Sequence, residues 1–330
     1  MSNEPDLKLA VIGLGSIGLR HARNARALGA EVVGFDPSAE RRALLAAEGG
    51  FAVESRDEAL AAAGAAVIAS PSGLHLDDLG AAVAAACHVL VEKPLAHTDS
   101  GLEAILRQAD VAGLTVFVAV NQRFNPAIEA GQARLAEGLV GEPIWARLIC
   151  ASYLPDWRPQ QDHKTGYAAD PASGGVLFDV IHEFDLANHL LGPAEVLNAA
   201  ASRSGRLGLA SEDIADVTLG HAGGLRASLH LDYLTRPAQR VTEVAGTEGL
   251  LRLDLRARSL ERWSVDGELA EEAQLPGSVD DDYRAEMAAF LACCRGQQRP
   301  RCDGWEGLAV LRQVLAARAL CGLESAGAAA

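Results

Sequence analysis

The chain has 330 residues, more than a single hydrophobic core normally supports, and 49% of them are hydrophobic. We therefore expect two folded domains. The 29 basic and 44 acidic residues give a net charge of −15, and no run of Lys and Arg could follow a phosphate backbone. Nucleic acid is thus not an expected partner. No apolar run approaches the length that spans a bilayer, so we do not expect membrane binding either.

The start of the chain and the cysteines bear on the compartment. Residues 1–8 are polar and acidic, unlike the positively charged start of a signal peptide. The six cysteines include no Cys-x-x-Cys pair and no metal-ligand spacing with histidine. This pattern predicts reduced thiols, no metal site and a cytoplasmic protein.

Strand-like apolar runs alternate with helix-like Ala and Leu periodicity up to about residue 120. Strands are predicted at 7–12, 31–36, 65–69, 88–91 and 114–120, and helices at 16–28, 41–48, 74–86 and 100–112. Strands that alternate with helices are typical of a parallel, doubly wound α/β sheet. We therefore predict that residues 1–120 form one domain of this class.

The first predicted strand is followed by Gly13-Leu14-Gly15-Ser16-Ile17-Gly18. In such a turn the first glycine allows a tight bend, the second allows the backbone to approach a pyrophosphate, and the third allows close packing of helix on strand. The helix that starts here directs its N–H groups at the phosphates. This segment, including Ser16 and Ile17, predicts dinucleotide binding.

Asp36 ends the second predicted strand, eighteen residues after Gly18. A carboxylate there can accept the ribose hydroxyls of the adenosine and repels a 2′-phosphate, so it favours NAD over NADP. Arg41 and Arg42 follow closely, and a guanidinium could offset that charge. The alternative is that Asp36 is only a turn residue before Pro37.

The pattern changes after Asn121. A helix is predicted at 126–137, strands at 144–153, 196–202, 217–221, 225–233, 240–244 and 250–255, and further helices at 177–191, 283–295 and 304–320. The alternating strands favour an antiparallel or mixed sheet with one solvated face. We predict that residues 121–330 form a second, α+β domain.

Several further segments carry a resemblance. They are Ser70-Pro71-Ser72 with His75, Glu92-Lys93-Pro94-Leu95, Gln122-Arg123-Phe124, and Gly174-Gly175-Val176-Leu177-Phe178-Asp179 with His182-Glu183-Phe184-Asp185. Together with the glycine turn, they resemble the glucose-fructose oxidoreductase / inositol dehydrogenase (Gfo/Idh/MocA) family over nearly the whole chain. The resemblance implies a Rossmann domain followed by an open-sheet domain, with the substrate held between that sheet and the nicotinamide.

The resemblance implies that the cofactor is NAD. It also implies that the cofactor-binding residues beyond the glycine turn and Asp36 are Ser70, Pro71, His75, Glu92, Lys93, Pro94, Gln122 and Arg123. Family members oxidise or reduce secondary alcohols of sugars, nucleotide-linked sugars and inositols. A small sugar or polyol is therefore the expected substrate.

Lys93 is the first catalytic candidate. Hydride transfer at a carbinol carbon moves a proton on or off the oxygen, and an ammonium beside that oxygen lowers the barrier in both directions. In the family, the lysine of Glu-Lys-Pro has this position. Glu92 would orient the cofactor or the lysine, and Pro94 fixes the backbone, with a cis bond left open.

His182 is the second catalytic candidate, since an ordinary histidine titrates near neutrality, at a pKa of about 6.5. On a continuous helix over 177–191, Asp179 and Glu183 would lie near one face with it. Many family members have Asp-x-x-x-His, whereas this chain has Asp-x-x-His. Either the helix start is shifted by one residue, or Asp179 serves the substrate differently. The alternative for His182 is a buried histidine tied to a carboxylate.

The segment from Tyr153 to Pro159, with Tyr167 after it, resembles a bacterial subgroup linked with sugar and surface-polysaccharide metabolism. Its predicted substrate-binding residues are Tyr153, Asp156, Trp157, Arg158 and Tyr167, together with Lys93, Asp179 and His182. Aromatic faces suit sugar C–H groups, and Arg and Asp read hydroxyls directionally. Ordinary packing is the alternative for Trp157 and Tyr153.

Three functions agree with these residues. The first is an NAD-dependent dehydrogenase or ketoreductase of a sugar, sugar derivative or cyclic polyol. The second is a glycosidase that retains NAD and cleaves by oxidation and elimination, and the third is a non-catalytic dinucleotide-binding regulator. We also expect a homodimer or homotetramer, formed through an apolar outer face of the second sheet.

Overall fold

The computed structural model describes residues 7–160 and 162–323. It divides into two compact units. The first contains Met1–Asn121 and Val279–Leu311, and the second contains Gln122–Ser278 and Arg312–Ala330. The first break along the chain therefore falls at Asn121, one residue after the predicted end of the first domain.

The first unit is built on a six-stranded sheet in which every pairing is parallel. Its strands are β1 (Lys8–Ile12), β2 (Glu31–Phe35), β3 (Phe51–Ala52), β4 (Ala65–Ile68), β5 (His88–Glu92) and β6 (Val116–Ala119), and its connecting helices are α1 (Ser16–Ala27), α2 (Ala39–Ala47), α3 (Arg56–Ala61), α4 (His75–Ala84) and α5 (Leu102–Val111). The order β3-β2-β1-β4-β5-β6 reverses between β1 and β4, which is where ligands bind in open α/β sheets. The predicted parallel, doubly wound sheet is confirmed.

The second unit is built on an eight-stranded mixed sheet, preceded by α6 (Pro126–Ala136). Its strands are β7 (Pro143–Ala151), β8 (Ala194–Ser202), β9 (Ile214–His221), β10 (Arg226–Asp232), β11 (Gln239–Gly246), β12 (Gly249–Asp254), β13 (Ser259–Ser264) and β14 (Leu269–Gln274), in the order β14-β13-β12-β11-β7-β10-β9-β8. The β7–β10 pair is parallel and the other pairs are antiparallel. This confirms the predicted mainly antiparallel sheet.

The sequence did not predict β13 and β14. These edge strands read SLERWS and LAEEAQ, and only one of their twelve residues, Leu260, is buried. Their charged residues form ion pairs with neighbouring elements and leave no apolar face. Glu271 of β14, for example, pairs with Arg134 of α6 and with Arg262 of β13. Period-two hydrophobicity, the signal on which the prediction depended, is absent from such strands.

One predicted helix is interrupted. Instead of a single helix over 177–191, the structure has α7 (Val176–Asp179) and α8 (His182–Leu191). Val180 leaves the helical region between them, with φ −98° and ψ 29°. Apolar periodicity continues through Val180 and Ile181, so the pattern gave no sign of the break.

The apolar face that was predicted to lie outward on the second sheet is the buried face. In β10, Ala227, Leu229 and Leu231 are buried, while Arg226 and Ser228 are exposed. The exposed large apolar side chains of this sheet are few, and include Ile144, Trp145 and Leu197. Self-association stays a prediction, without the apolar face on which it was based.

Two long helices complete the chain, α9 (Val279–Cys294) and α10 (Gly304–Leu320). The predicted second domain included both, but the structure assigns 279–311 to the first unit. The reason is local packing: α9 packs against α1, and the carbonyl of Cys302 accepts a hydrogen bond from the N–H of Val118 in β6. Sequence order gave no indication of this return.

Candidate functional site

The turn between β1 and α1 leaves space at one glycine and none at the other two. Gly13 has φ +91°, and a Cβ there would overlap the backbone of Ala69 and Ser70. A Cβ at Gly18 would overlap the carbonyl of Gly13, whereas one at Gly15 would meet only Arg41 Nη1, at 4.0 Å. The backbone at Gly15 is therefore open to a close approach, as pyrophosphate binding requires.

The N-terminus of α1 carries positive partial charge that no acidic side chain offsets. Gly15 is the N-cap, and in the described residues no side chain caps the helix and no acid lies in its first turn. Ser16 and Ile17 begin the helix, and Ser16 is exposed. First-turn N–H groups of this kind bind phosphate. The turn thus fits the dinucleotide that its sequence predicted.

Asp36 is 3% exposed and tied to this turn. Its Oδ2 accepts the N–H of Leu14 at 2.8 Å, and its Oδ1 accepts the N–H of Ser38 at 2.9 Å. The second bond is the local turn that was the alternative interpretation of Asp36. The first bond fixes the carboxylate against the glycine turn, and the predicted contact of Asp36 with the ribose stays a prediction.

Arg41 and Arg42, which follow β2, differ in their contacts and exposure. Arg42 donates to the carbonyl of Asp36 at 2.8 Å and to Glu54 at 2.7 Å. Arg41 Nη1 lies 3.4 Å from Asp36 Oδ2, and its side chain is 54% exposed. Arg41 is therefore the one that could turn toward a 2′-phosphate.

Hydrogen bonds within the first unit fix the segment that follows β4. Ser70 donates its hydroxyl to Asp78 at 2.6 Å, and Pro71 is exposed. The ring of His75 is buried, with Nδ1 2.8 Å from the carbonyl of Pro94 and Nε2 3.0 Å from that of Ser70. Burial lowers the pKa of His75 despite these carbonyls. His75 thus connects two loops, and its predicted contact with the cofactor stays a prediction.

Lys93 follows the carboxyl end of β5, and the Lys93–Pro94 peptide is cis. Glu92 Oε1 lies 2.8 Å from Nε2 of the buried His21, and Glu92 Oε2 accepts the N–H of Lys93 at 3.3 Å. Burial raises the pKa of Glu92, but the hydrogen bond and charge of His21 and the charges of Lys93 and His75 leave it below its usual value. Glu92 is therefore a carboxylate beside the Lys93 backbone.

In the second unit, two tyrosines hold Asp179, the last residue of α7. Tyr167 donates to Asp179 Oδ1 at 2.6 Å, and Tyr233 donates to Oδ2 at 3.0 Å. Tyr233 is fully buried, and its pKa is raised well above the usual value by burial and by the Asp179 charge. Asp179 is thus fixed at both oxygens.

Two glycines just before α7 lie where no side chain would fit. A Cβ at Gly174 would overlap the carbonyls of Tyr167 and Ala168, so only a glycine lets this loop lie against the start of α7. Gly175 has φ +87°, and a Cβ there would overlap the carboxylate of Glu212.

His182 opens α8 and is half-buried. The break after Asp179 separates the two residues that the sequence placed on one helix. Glu183, the other predicted neighbour of His182, is paired with Arg240 at 2.8 and 3.2 Å. Its carboxylate is thereby engaged.

Gln122 and Arg123 follow the first unit directly. Gln122 is half-buried, whereas Arg123 is 2% exposed. The Arg123 guanidinium pairs with both oxygens of Asp185, at 3.0 and 2.7 Å. A buried bidentate pair of this kind requires both partners. Cofactor binding by Gln122 and Arg123 stays a prediction.

Each predicted substrate residue of the 153–167 segment contacts a specific partner side chain. Arg236 stacks on Tyr153 at 3.6 Å from the ring centre and pairs with Asp156 at 3.0 and 2.7 Å. Trp157 donates to Ser152 at 2.8 Å and meets the ring of Tyr233 edge-on at 5.6 Å. Arg158 lies 5.9 Å from the ring centre of Tyr167. Trp157 and Arg158 thus contact the two tyrosines that hold Asp179.

Sequence reasoning missed three of these residues. Tyr233 ends a strand run, His21 lies in an amphipathic helix, and Arg236 follows a strand in a loop. None belongs to a motif that was singled out. Each is separated from its partner by at least fifty residues in the chain, so local pattern could not pair them.

Two findings concern other classes of site. Among the described residues, no group of three or more His, Cys, Asp or Glu could hold a metal ion. In the same part of the chain, no helix is long and apolar enough to cross a membrane.

Comparison with known proteins identifies relatives. The family model described as "Oxidoreductase family, NAD-binding Rossmann fold" matches residues 7–120, and the GFO/IDH/MocA C-terminal domain model matches 128–252. The 1,5-anhydro-D-fructose reductase of Ensifer adhaerens is 32% identical over 301 residues, covering 86% of each chain. The D-apiose dehydrogenase of Paraburkholderia graminis is 30% identical over 329 residues, 93% of this chain and 85% of that one.

Solved structures share the fold. The UDP-N-acetylglucosamine 3-dehydrogenase of Acidithiobacillus ferrooxidans aligns with a TM-score of 0.80 at 24% identity, covering 97% of this chain and 100% of that one.

We predict that two of the four tyrosines, Tyr233 and Tyr283, stay protonated in the folded protein when the pH passes the ordinary tyrosine range, around pH 10. Burial raises the pKa of both, with nearby carboxylates adding to it. A pH titration of the phenolate ultraviolet absorbance should give the same amplitude for wild type, Tyr233→Phe and Tyr283→Phe while each is folded. In denaturant, where all four tyrosines of the wild type titrate, the amplitude for each variant should be smaller by the contribution of one tyrosine. A reduced amplitude for folded Tyr233→Phe would contradict the Asp179 arrangement.

Proposed function

Because this chain belongs to the Gfo/Idh/MocA family of oxidoreductases, we propose that it transfers a hydride between NAD and a secondary alcohol or ketone of a sugar, sugar derivative or cyclic polyol. The observation that carries the proposal is the placement of Lys93. It follows β5 in the same unit as the open glycine turn, and Glu92 holds its backbone N–H.

The first unit supplies the cofactor-binding residues of this proposal. Gly13, Gly15 and Gly18 with the start of α1 hold the pyrophosphate, and Asp36 meets the adenosine ribose. When bound, NAD supplies a nicotinamide ring that takes up or returns a hydride. Exclusion of a 2′-phosphate follows from the charge of Asp36, which is fixed by backbone N–H groups and so cannot turn aside.

Three side chains manage the proton in this proposal. Lys93 donates a hydrogen bond to the reacting oxygen, which stabilises negative charge there in either direction. His182 accepts the hydroxyl proton during oxidation and returns it during reduction. Asp179 accepts a hydrogen bond from a neighbouring substrate hydroxyl, since its two tyrosine donors fix its direction without exhausting its lone pairs.

The substrate class rests on the relatives and on the 153–167 segment. Relatives matched over more than four fifths of this chain are named as a 1,5-anhydro-D-fructose reductase and a D-apiose dehydrogenase. Trp157 and Tyr167 are 41% and 47% exposed, so they offer aromatic faces suited to sugar C–H groups. Association as a homodimer or homotetramer belongs to the same proposal.

We predict that the protein binds NAD more tightly than NADP, and that Asp36→Asn lowers this preference by about tenfold, the size of one charge-assisted interaction. Fluorescence titration with NADH and NADPH measures both affinities. Arg107→Gln, in an exposed ion pair of the same unit, is the control and should leave both unchanged. Equal binding of the two cofactors by wild type would contradict the assignment and direct attention to Arg41.

We predict that Lys93→Ala and His182→Ala each lower kcat by on the order of a hundredfold, the size of a general acid–base effect, with NAD affinity nearly intact. The double variant should lose much less than the product, because the two groups serve one oxygen. Lys8→Ala and His189→Ala are matched controls on β1 and α8. An unimpaired His182→Ala enzyme would remove His182 from the proton path and leave Lys93, with Asp179 or Tyr167.

A further inference from the structure

A group of polar side chains lies next to Glu92, contributed by α1 and α9 of the first unit, and it includes the fully buried His21. His21, on α1, is 0% exposed, and its Nε2 lies 2.8 Å from Glu92 Oε1. The ring of Tyr283, on α9, meets the His21 ring edge-on at 6.1 Å, and the Arg20 guanidinium lies 4.7 Å from the Tyr283 ring centre. The proposed mechanism uses none of these groups.

The same group contains a buried carboxyl, that of Glu286. Glu286 lies three residues after Tyr283 on α9, and so on the same face of that helix. It is 0% exposed, and within the described residues neither of its oxygens has a hydrogen-bond partner. Burial raises the pKa of Glu286, and the charges of Glu92 and Asp282 raise it further. Glu286 therefore holds its proton more tightly than an ordinary carboxyl, whereas Glu92, which His21 faces, gives up its proton more readily.

Such a group is costly to keep. A buried carboxyl without a partner destabilises the folded protein, as does the buried Nδ1 of His21, which lacks a hydrogen-bond partner in the described part of the chain. Apolar side chains of the same size would pack here at no such cost. Buried polar groups that lower stability are a frequent sign of a functional constraint.

The contacts of His21 lead to Lys93 in two steps. A carboxylate only accepts hydrogen bonds, so His21 Nε2–H donates to Glu92 Oε1, and the other oxygen of Glu92 accepts the N–H of Lys93 at 3.3 Å. His21 is also three residues after Gly18, on the helix that starts at the glycine turn. One side chain thus joins that helix to the residue that follows β5.

We propose that His21 is a positioning residue for Lys93, acting through Glu92. By fixing the Glu92 carboxylate, His21 holds the Lys93 backbone and with it the starting point of the side chain that carries the ammonium. This inference rests on the proposed function, in which Lys93 donates to the reacting oxygen, and it adds a residue that lies outside the family motifs quoted above.

The kinetic test compares His21→Leu, which cannot donate a hydrogen bond, with His21→Gln, whose amide N–H can replace Nε2–H. His21→Leu should lower kcat by about tenfold or more, with NAD affinity within about twofold of wild type. His21→Gln should recover most of kcat. His88→Leu is the matched control: His88 begins the same strand, β5, and accepts a hydrogen bond from the N–H of Thr115. We expect its kcat to equal that of wild type.

A second readout needs no turnover. The chain has three lysines, Lys8, Lys93 and Lys164, so reductive methylation with a ¹³C label gives few NMR signals, and Lys93→Arg identifies the one from Lys93. That signal reports titration of the adjacent Glu92. Because His21 lowers the pKa of Glu92, the acid inflection of the Lys93 signal should move to higher pH in His21→Leu, and less so in His21→Gln.

The outcomes separate this inference from the proposed function. An unchanged acid inflection in His21→Leu, or equal losses of kcat in His21→Leu, His21→Gln and His88→Leu, would overturn the positioning role and leave His21 as a packing residue. If the inflection moves as expected but no alcohol or ketone is turned over, the proposed function fails and the link from His21 to Glu92 stands.

Discussion

Three carboxylates of the candidate site, those of Asp36, Glu92 and Asp179, are largely removed from water, and the donors that burial demands fix their directions. A buried carboxylate is tolerated only when hydrogen bonds or charges replace its hydration. Asp36 receives backbone N–H groups of Leu14 and Ser38, Glu92 is held by His21, and Asp179 lies between two tyrosines. The same requirement orders the turn after β1, the residue after β5 and the end of α7. Glu286 is the exception: neither of its oxygens has a hydrogen-bond partner among the described residues, and burial raises its pKa.

The parts of the fold that the sequence predicted are those with a local cause. The glycine turn, the parallel sheet and the Glu92-Lys93-Pro94 segment each follow from contiguous residues whose periodicity or chemistry allows few structures. Strands β13 and β14, the break at Val180 and the return of 279–311 to the first unit were missed. Edge strands with charged ladders lack the alternation on which such predictions depend, and the other two depend on long-range packing.

The residues of the candidate site also divide into those with a local cause and those that depend on long-range contacts. Residues of the cofactor turn were predicted because the backbone itself binds, and backbone requirements appear in sequence as glycines. Contacts of Arg123 and His75 with the cofactor were predicted from motif membership and stay predictions. The structure adds that Arg123 pairs with Asp185 and that the His75 ring lies between two carbonyls. Tyr233 and His21 act through partners more than fifty residues away. The choice among sugars and polyols depends on side chains of the 153–167 segment, and their partners, such as Arg236 and Tyr233, belong to no motif.

The central claim is that this protein moves a hydride between a carbinol carbon and nicotinamide, and a labelled substrate tests it most directly. A panel of inositols, free sugars and nucleotide sugars, screened in both directions by NADH absorbance, supplies the alcohol to label with deuterium at the reacting carbon. The account predicts that the deuterium appears in the reduced cofactor, which mass spectrometry measures, and that the Lys93→Ala variant transfers it far more slowly. Cleavage of a glycoside without net NADH, or oxidation that leaves no deuterium in the cofactor, would contradict it.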